Sequence, residues 1–222
     1  MENGDQIRAV LDHAVKEGKL PMSVALVANS EGVLFTHASG YRDSENEQMM
    51  RLDSIFAIAS MTKLITTIAV LQLVEADLVE LDSGLDQYLP ETKNPKIIQS
   101  FDKDDNPIFV DAARSPTVRE LITHTSGYVY SIWNEMALSA QAKGVTSPLG
   151  GGKESIVAPL YFEPGSKWEY GVGIDWLGVM VEEVSGKRLM DFFEEKIFLP
   201  LGICLLYTSD AADEGLGVDL GG

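Results

Sequence analysis

The first part of the pattern of apolar and polar positions predicts one helix followed by one β-hairpin. Apolar residues recur at helical spacing through residues 5–17, and Gly18 is placed to end that helix. Two strand-like apolar runs follow at residues 22–28 and 33–38, and the polar, glycine-containing stretch between them has turn chemistry. We therefore expect a helix and a two-stranded hairpin in this part of the chain.

The longest apolar run, residues 64–74, places apolar side chains on nearly every face of the helix that it predicts. A helix of that kind is buried in a core. The helical period returns at residues 174–184 and 189–197, whereas residues 91–116 and 127–152 are rich in polar, proline or glycine residues. We expect residues 91–116 to be irregular, and residues 127–152 to form a long functional loop or insertion.

Ser60 and Lys63 come directly before the central apolar run. Residues three apart lie on one face of a helix, so the lysine amine can reach the serine hydroxyl. A serine needs such a base to become a nucleophile, and burial lowers the pKa of a lysine because it disfavours the ammonium form. A second Ser-x-x-Lys, at Ser100 and Lys103, lies in a polar turn with no apolar run behind it. The ordinary interpretation of the first copy would be a helix-capping serine with an exposed lysine, but its position at the start of a fully apolar helix favours the catalytic interpretation.

Three ordered blocks of the sequence resemble one enzyme superfamily. They are residues 59–64 (ASMTKL), 117–127 (TVRELITHTSG) and 162–170 (FEPGSKWEY). The first resembles the nucleophile motif of the serine β-lactamases and penicillin-binding proteins, and the three together are most similar to the class C-like, family VIII-type esterases and transesterases. The resemblance implies an α+β fold, with an antiparallel sheet flanked by helices, and an acyl-enzyme formed on Ser60 with Lys63 as its base.

Tyr170 is the candidate for the third catalytic group. A tyrosine beside a lysine can pass a proton to the leaving group, and the superfamily carries its catalytic tyrosine in the block that ends at Tyr170. The alternative is a core tyrosine that packs its ring and bonds its hydroxyl. Tyr128 and Tyr130, which follow the block at residues 117–127, are lower-ranked candidates for the same role.

Tyr128, Trp133 and Val172 are the residues predicted to contact substrate. Trp133 lies in the long polar region, where it either forms an apolar wall of a substrate cleft or anchors the loop. Penicillin-recognising members of the superfamily usually carry Tyr-x-Asn, whose Asn contacts the substrate amide, whereas this chain has Val172 at that position. Because valine cannot form that hydrogen bond, the departure favours ester substrates over β-lactams.

Neither a Ser-His-Asp triad nor a metal site is supported by the sequence. His13 and His37 have no local support, no Gly-x-Ser-x-Gly elbow occurs, and His124 follows a short helix whose backbone carbonyls it could bond. Three scattered histidines and one cysteine do not have the spacing of metal ligands. We therefore expect neither a metal nor another cofactor.

The charge balance restricts the partners. With 34 acidic and 17 basic residues the chain has a net charge of −17, which argues against binding to nucleic acid or to an anionic membrane. No apolar stretch is long enough to span a membrane, and the single cysteine, Cys204, is compatible with a reducing compartment. We expect a cytoplasmic protein that acts on a small-molecule ester or amide, with its oligomeric state left open.

We expect residues 1–203 to form a partial β-lactamase-like domain, with an α/β part at residues 1–59 and a helical part at about residues 60–203. Residues 204–222 resemble read-through of adapter sequence, so we expect a non-native or disordered tail. A lone two-stranded hairpin is marginally stable. The superfamily completes its five-stranded sheet, and supplies its Lys-Thr-Gly motif, from C-terminal strands. The expected fold is therefore incomplete at the C-terminus.

The function expected from these residues is that of a serine hydrolase, either a carboxylesterase or an acyltransferase for short-chain esters. The alternatives are a β-lactamase or D-alanyl-D-alanine peptidase and, in another class, a non-catalytic relative that binds a ligand. The backbone N–H of Ser60 is expected to be one oxyanion donor. The 222-residue chain as it stands is expected to be inactive, and its acyl and alcohol specificity stays open.

Overall fold

The computed structural model of the protein describes residues 2–43, 45, 47–146 and 156–203. Helices and antiparallel strands occur together, so the fold is α+β, as the sequence predicted. The chain divides into two compact units, Met1–Ala57 and Ile58–Gly222. Within the described residues, no helix combines the length and the apolar character that crossing a membrane requires. The predicted tail lies outside the described residues.

The first unit contains one helix and an antiparallel sheet whose strands follow one another in the chain. Helix α1 spans Glu2–Lys16, and strands β1, β2 and β3 span Met22–Asn29, Gly32–Asp43 and Gln48–Met49. The strands pair in the order β1-β2-β3, and Gly18 ends the helical segment with φ +68°. The helix and the hairpin confirm the prediction. Strand β3 was not predicted because two residues carry no periodicity.

The second unit is mainly helical and holds its core between two apolar helices. Its helices are α2 (Thr62–Glu75), α3 (Val118–Ile122), α4 (Glu135–Ala142), α5 (Gly173–Ser185), α6 (Leu189–Phe193) and α7 (Leu199–Leu201), with a π-helical turn at Glu194–Phe198. Helices α2 and α5 contact each other and share one core cluster. Because burying one large apolar side chain stabilises a fold by about 1.5–3 kcal/mol, the packing of α2 against α5 contributes much of the stability of this unit.

Helix α2 is the predicted central helix, but its burial is one-sided. Its buried residues are Thr66, Ala69, Val70 and Leu73. Leu64 and Leu71, on other faces, remain 67% and 42% exposed. The expectation that every face of the helix is buried is therefore wrong. Only the face that packs against α5 is buried as expected.

Residues 91–116 contradict the expectation of an irregular segment. Strands β4 (Lys96–Phe101) and β5 (Pro107–Asp111) pair as an antiparallel hairpin. In the turn between them, the Asp102 carboxylate accepts hydrogen bonds from two backbone N–H groups. The adjacent isoleucines of β4 are both buried, so the strand lacks the alternation by which a half-buried strand is recognised.

Helix α4 lies within the segment predicted to be a loop. Asn134 caps this helix, since its side-chain oxygen accepts a hydrogen bond from the backbone N–H of Ala137 at 2.9 Å. The helix buries only two alanines, Ala137 and Ala140. A short helix with so small an apolar face does not produce a readable period, which explains why the pattern did not predict it.

Candidate active site

Ser60 lies in a 3₁₀ turn, Ala59–Met61, directly before α2 begins at Thr62. The residue is exposed, and the structure shows no hydrogen bond between its hydroxyl and a described side chain. The preceding Ala59 has φ +43°, a conformation that residues other than glycine rarely adopt. Backbone strain of this kind costs about 1–3 kcal/mol and concentrates at functional sites. Ser60 is therefore presented to solvent by a strained turn.

Lys63 lies in the first turn of α2, with its ammonium near two tyrosine rings. Its Nζ is 5.4 Å from the centre of the Tyr130 ring and 5.3 Å from the centre of the Tyr170 ring. The two rings are themselves 5.3 Å apart. A cation at this distance from a ring face gains about 0.5–2 kcal/mol. The structure thus brings Lys63 and Tyr170 together, and it adds Tyr130, which the sequence ranked lower.

The pKa of Lys63 is raised, which contradicts the expectation that burial would lower it. Burial alone does lower the pKa of this amine, but Tyr130 and the Asp175 carboxylate act in the opposite direction and outweigh it. The ammonium form of Lys63 is therefore favoured at neutral pH. Lys63 can accept the proton of a serine only after it has given up its own proton.

Asp175 is a candidate that the sequence pattern did not reveal. It lies in the first turn of α5, where its Oδ2 is buried, and Lys63 and Tyr130 both act on its carboxyl group. Burial raises the pKa of Asp175, and the charge of Lys63 opposes that shift. The signal that could have found it is a carboxylate placed directly before an apolar helical run, where a charge needs a partner.

The hydroxyl of Tyr130 is also buried, and it lies close enough to the Lys63 amine and to Asp175 to interact with both. Burial, and secondly the charge of Asp175, raise the pKa of Tyr130 to about 12. Tyr130 is therefore a neutral phenol at physiological pH. Tyr130 and Asp175 therefore make the surroundings of Lys63 a polar centre between aromatic rings.

Gly171 allows the segment that carries Tyr170 to pack against the segment that carries Tyr130. A Cβ atom at Gly171 would lie 2.2 Å from the carbonyl oxygen of Tyr128 and 2.5 Å from Cα of Val129. No side chain fits there, so only glycine permits this approach. Gly171 thereby brings together two stretches of backbone and, with them, two tyrosines.

His124 packs against Tyr170 and does not complete a Ser-His-Asp arrangement. Its ring centre is 4.6 Å from that of Tyr170 and 6.3 Å from that of Trp168. Burial lowers the pKa of His124, and the charge of Lys63 lowers it further. No carboxylate bonds to this ring among the described residues. The imidazole is thus favoured in its neutral form, and it supports the Tyr170 ring instead of bonding helix carbonyls.

The residues predicted to contact substrate lie in two environments. Tyr128 and Val172 belong to the hydrophobic core, with 4% and 3% of their surfaces exposed. Trp133 is 64% exposed, and its ring centre is 5.3 Å from that of Tyr170. As placed, Trp133 offers apolar surface beside the site, whereas Tyr128 and Val172 contribute packing. Substrate contact by these three residues stays a prediction.

The chemistry that these groups can perform is nucleophilic attack coupled to proton transfer. Ser60 supplies a hydroxyl, Lys63 and Tyr170 supply exchangeable protons, and Asp175 and Tyr130 influence the charge of the lysine. In the part of the chain that the structure describes, no group of three or more histidine, cysteine, aspartate or glutamate side chains is placed to hold a metal ion.

Known proteins resemble this chain in both sequence and structure. A family model described as Beta-lactamase matches residues 7–214. Lovastatin esterase of Penicillium rubens is 38% identical over 198 residues, which are 86% of this chain and 49% of that protein. Acyltransferase mokF of Monascus pilosus is 34% identical over 206 residues, 89% of this chain and 50% of that protein. The LovD6 mutant of simvastatin synthase from Aspergillus terreus superposes with a TM-score of 0.80 at 32% identity, covering 92% of this chain and 51% of that one.

The chain therefore spans about half the length of the curated relatives it matches. The matches cover most of this chain, from the first unit through the segments that carry the tyrosines. The region of likeness includes Ser60, Lys63 and Tyr170.

Proposed function

The chain belongs to the beta-lactamase family, and on that premise we propose that it carries the nucleophile of a serine hydrolase that works through an acyl-enzyme. The observation that supports the proposal is the placement of the Lys63 ammonium 5.3 Å from the Tyr170 ring, one helical turn after the exposed Ser60. The named relatives are an esterase, an acyltransferase and a synthase. These names favour a carboxylesterase or an acyltransferase.

In the proposed reaction, Ser60 Oγ attacks the ester carbonyl while its proton passes to the Lys63–Tyr170 pair. The tetrahedral intermediate collapses, the same pair returns the proton to the leaving alcohol, and the acyl group stays on Ser60. Water or a second alcohol then attacks the acyl carbonyl and regenerates the free serine. The backbone N–H of Ser60 is the proposed oxyanion donor from this chain. Whether water or an alcohol attacks decides between hydrolysis and acyl transfer.

We propose small neutral esters as the substrates and the cytoplasm as the location. The net charge of −17 supports neutral substrates, because it disfavours the approach of anions. A content of one cysteine in 222 residues is compatible with the cytoplasm. Val172, where penicillin-recognising relatives carry asparagine, favours esters over amides. A β-lactamase or D-alanyl-D-alanine peptidase is the second enzymatic candidate, and a non-catalytic ligand-binding relative is the candidate of another class.

The test is covalent labelling of Ser60 in the whole protein, a chain of the relatives' length that contains these residues. A fluorophosphonate should add to Ser60, and mass spectrometry of the tryptic digest should locate the adduct there. Ser60→Ala should abolish the label, while Ser100, in the second Ser-x-x-Lys, should stay unmodified. Labelling of Ser100 or Ser126 with Ser60 unmodified would overturn the proposal.

Two chromogenic substrates separate the candidate functions. p-Nitrophenyl butyrate should be turned over with a much larger kcat/KM than nitrocefin. Turnover of nitrocefin at a comparable rate would favour the β-lactamase alternative. Turnover of neither substrate, without a Ser60 adduct, would favour the non-catalytic relative.

A further inference from the structure

Two exposed indole rings lie at the ends of a row of rings that includes the proposed catalytic tyrosine. Trp168 is 65% exposed, and its ring centre is 6.3 Å from that of His124. The His124 ring is 4.6 Å from Tyr170, and Tyr170 is 5.3 Å from the 64% exposed Trp133. Large apolar side chains that stay exposed beside a reactive group are typical of a binding surface. Neither indole takes part in the proton transfer described above.

The segments that carry the two indoles are joined by one hydrogen bond. Asn134, which follows Trp133, donates from its side-chain Nδ2 to the Oε1 of Glu169, which follows Trp168, at 2.6 Å. The other carboxylate oxygen of Glu169 accepts from Lys167 Nζ at 2.8 Å. Burial raises the pKa of Glu169, but the hydrogen bonds from Lys167 and Asn134 outweigh it and hold the pKa below its usual value. An ionised acceptor makes this a charge-assisted bond, which is shorter and stronger than a neutral one.

Each end of this bond is also anchored to the backbone. The side-chain oxygen of Asn134 caps helix α4 through the N–H of Ala137. The backbone N–H of Glu169 donates to the carbonyl of His124 at 2.9 Å. The Asn134–Glu169 bond therefore connects helix α4, the turn at His124 and the segment that precedes Tyr170.

We propose that Trp133 and Trp168 bind the flat, apolar part of the substrate beside Tyr170, and that the Asn134–Glu169 hydrogen bond is the positioning contact that holds this aromatic cleft in shape. The inference rests on the proposed function in one respect, that the ligand is an ester. Aromatic side chains offer about 150–250 Å² of surface each. A planar ring system offers a flat apolar face that can stack on an exposed indole, whereas a short alkyl group offers little such area.

The charges around the cleft restrict the ligand further. The Lys63 ammonium already lies against the Tyr170 ring, so a second cation there would be repelled. The net charge of −17 disfavours the approach of an anion. The ligand chemistry that fits is therefore a neutral ester whose acyl or alcohol part carries a planar aromatic system, such as a naphthyl ester.

The first experiment compares a naphthyl ester with an ethyl ester of the same acid, both hydrolysed by the whole protein. Trp133→Leu and Trp168→Leu should each raise KM for 2-naphthyl butyrate about three- to tenfold, the range expected for losing one aromatic pair, with kcat little changed. The KM for ethyl butyrate should stay within twofold. Equal effects on the two esters, or no effect on either, would overturn the proposal.

The second experiment tests the positioning bond by exchanging its donor and acceptor. Asn134→Asp keeps a residue that caps helices well, but it places a carboxylate against the Glu169 carboxylate and breaks the bond. KM for the naphthyl ester should rise while the melting temperature holds. Adding Glu169→Gln should restore KM, since the introduced side-chain amide can then donate to the new carboxylate. Ser139→Asp, which adds the same charge on an exposed position of α4, is the matched control and should leave KM unchanged. If the double variant has the same raised KM as Asn134→Asp alone, the proposed positioning role of the bond is wrong.

A binding measurement separates this inference from the proposed function. 2-Naphthol should quench the tryptophan emission of the whole protein, and Trp133→Leu together with Trp168→Leu should abolish that quenching, because the remaining Trp176 is buried. Quenching without ester turnover would support the proposed cleft and contradict the proposed reaction. Turnover without quenching by the wild-type protein would contradict the proposed cleft and support the reaction.

Discussion

Opposing effects act on the amine of Lys63. Burial disfavours its charged form, whereas Tyr130 and Asp175 favour it more strongly, so the pKa is raised. A general base works best when its pKa lies near the operating pH. If Lys63 must lose its proton before it can accept that of Ser60, turnover should rise with pH until the neutral amine dominates. The pH profile of kcat/KM therefore reports the state of this lysine.

Asp175→Asn tests that electrostatic account. The amide has the shape of the carboxylate but no charge, so the variant loses the attraction that favours the Lys63 ammonium, and the pKa of Lys63 falls. The neutral amine then appears at lower pH, and the rising limb of kcat/KM should move to lower pH. Asp77→Asn, at an exposed carboxylate that follows α2, is the control and should leave the profile in place. A limb that stays put or moves to higher pH in Asp175→Asn would contradict the account.

Lys63→Ala and Tyr170→Phe test the proton-transfer pair. Each should lower kcat by roughly two to four decades, the usual contribution of a positioned acid or base. Steady-state rates with p-nitrophenyl butyrate measure the loss. His124→Ala is the informative comparison, because His124 packs on Tyr170 without a carboxylate partner and should cost far less. A crippled His124→Ala beside a nearly active Tyr170→Phe would show that the pair is wrongly assigned.

At the residue scale, the sequence predicts the residues that a contiguous motif carries. Ser60 and Lys63 are three apart, and Tyr170 ends a recognisable block, so their placement in one unit was predictable. The positions of Asp175 and Tyr130 beside Lys63 depend on tertiary packing, which no local sequence pattern reveals. The raised pKa of Lys63 was mispredicted for the same reason, since burial can be read from the apolar run but the neighbouring charge cannot.

At the scale of elements, the site depends on two segments that touch through bare backbone. Gly171 brings the Tyr170 segment against Tyr128 and Val129, and a Cβ atom would overlap both. Gly171→Ala should therefore force the segments apart, at a cost of about 1–3 kcal/mol typical of overpacking. Equilibrium unfolding of the whole protein in urea measures the loss of stability. The kcat should fall as well, because Tyr170 moves away from Lys63.

Gly4→Ala is the control for that substitution. Gly4 lies in α1, and a Cβ there would meet only the Phe35 ring, at an ordinary 3.5 Å. Alanine is favoured over glycine inside a helix by about 0.5–1 kcal/mol, so this variant should be as stable as the wild type or more so. Equal stability of Gly171→Ala and Gly4→Ala would show that the close approach does not constrain the fold.

The elements that the sequence predicted are those with a clear apolar pattern. Helices α1 and α5 carry apolar residues at helical spacing, α2 carries a continuous apolar run, and the β1–β2 hairpin carries two apolar runs around a turn. The β4–β5 hairpin buries adjacent residues, and α4 buries only two alanines. Both elements are held by side chains that bond the backbone, Asp102 and Asn134. Such bonds depend on conformation that hydrophobic pattern does not reveal, so tertiary context decides these elements.

At the scale of the whole molecule, much apolar surface remains exposed. In the second unit Leu64 and Met61, on either side of Lys63, are 67% and 64% exposed. In the first unit Leu26 and Leu34 of the β1–β2 hairpin are 62% and 65% exposed. At about 25 cal/mol per Å², each large side chain left in water forgoes on the order of 2 kcal/mol. Several such losses are comparable to the ~5–15 kcal/mol that separates a folded domain from its unfolded state.

Residues 1–222 expressed alone should therefore fail to melt cooperatively and should not turn over esters. Exposed apolar strands also favour aggregation, so light scattering should rise during purification. Near-UV circular dichroism, a thermal melt and the rate with p-nitrophenyl butyrate measure the three properties. The whole protein carrying Ser60→Ala is the control, because it should melt cooperatively without turnover and so distinguishes lost chemistry from lost folding. A cooperative melt of residues 1–222, with turnover equal to that of the whole protein, would show that the exposed apolar side chains destabilise the fold by less than about 2 kcal/mol each.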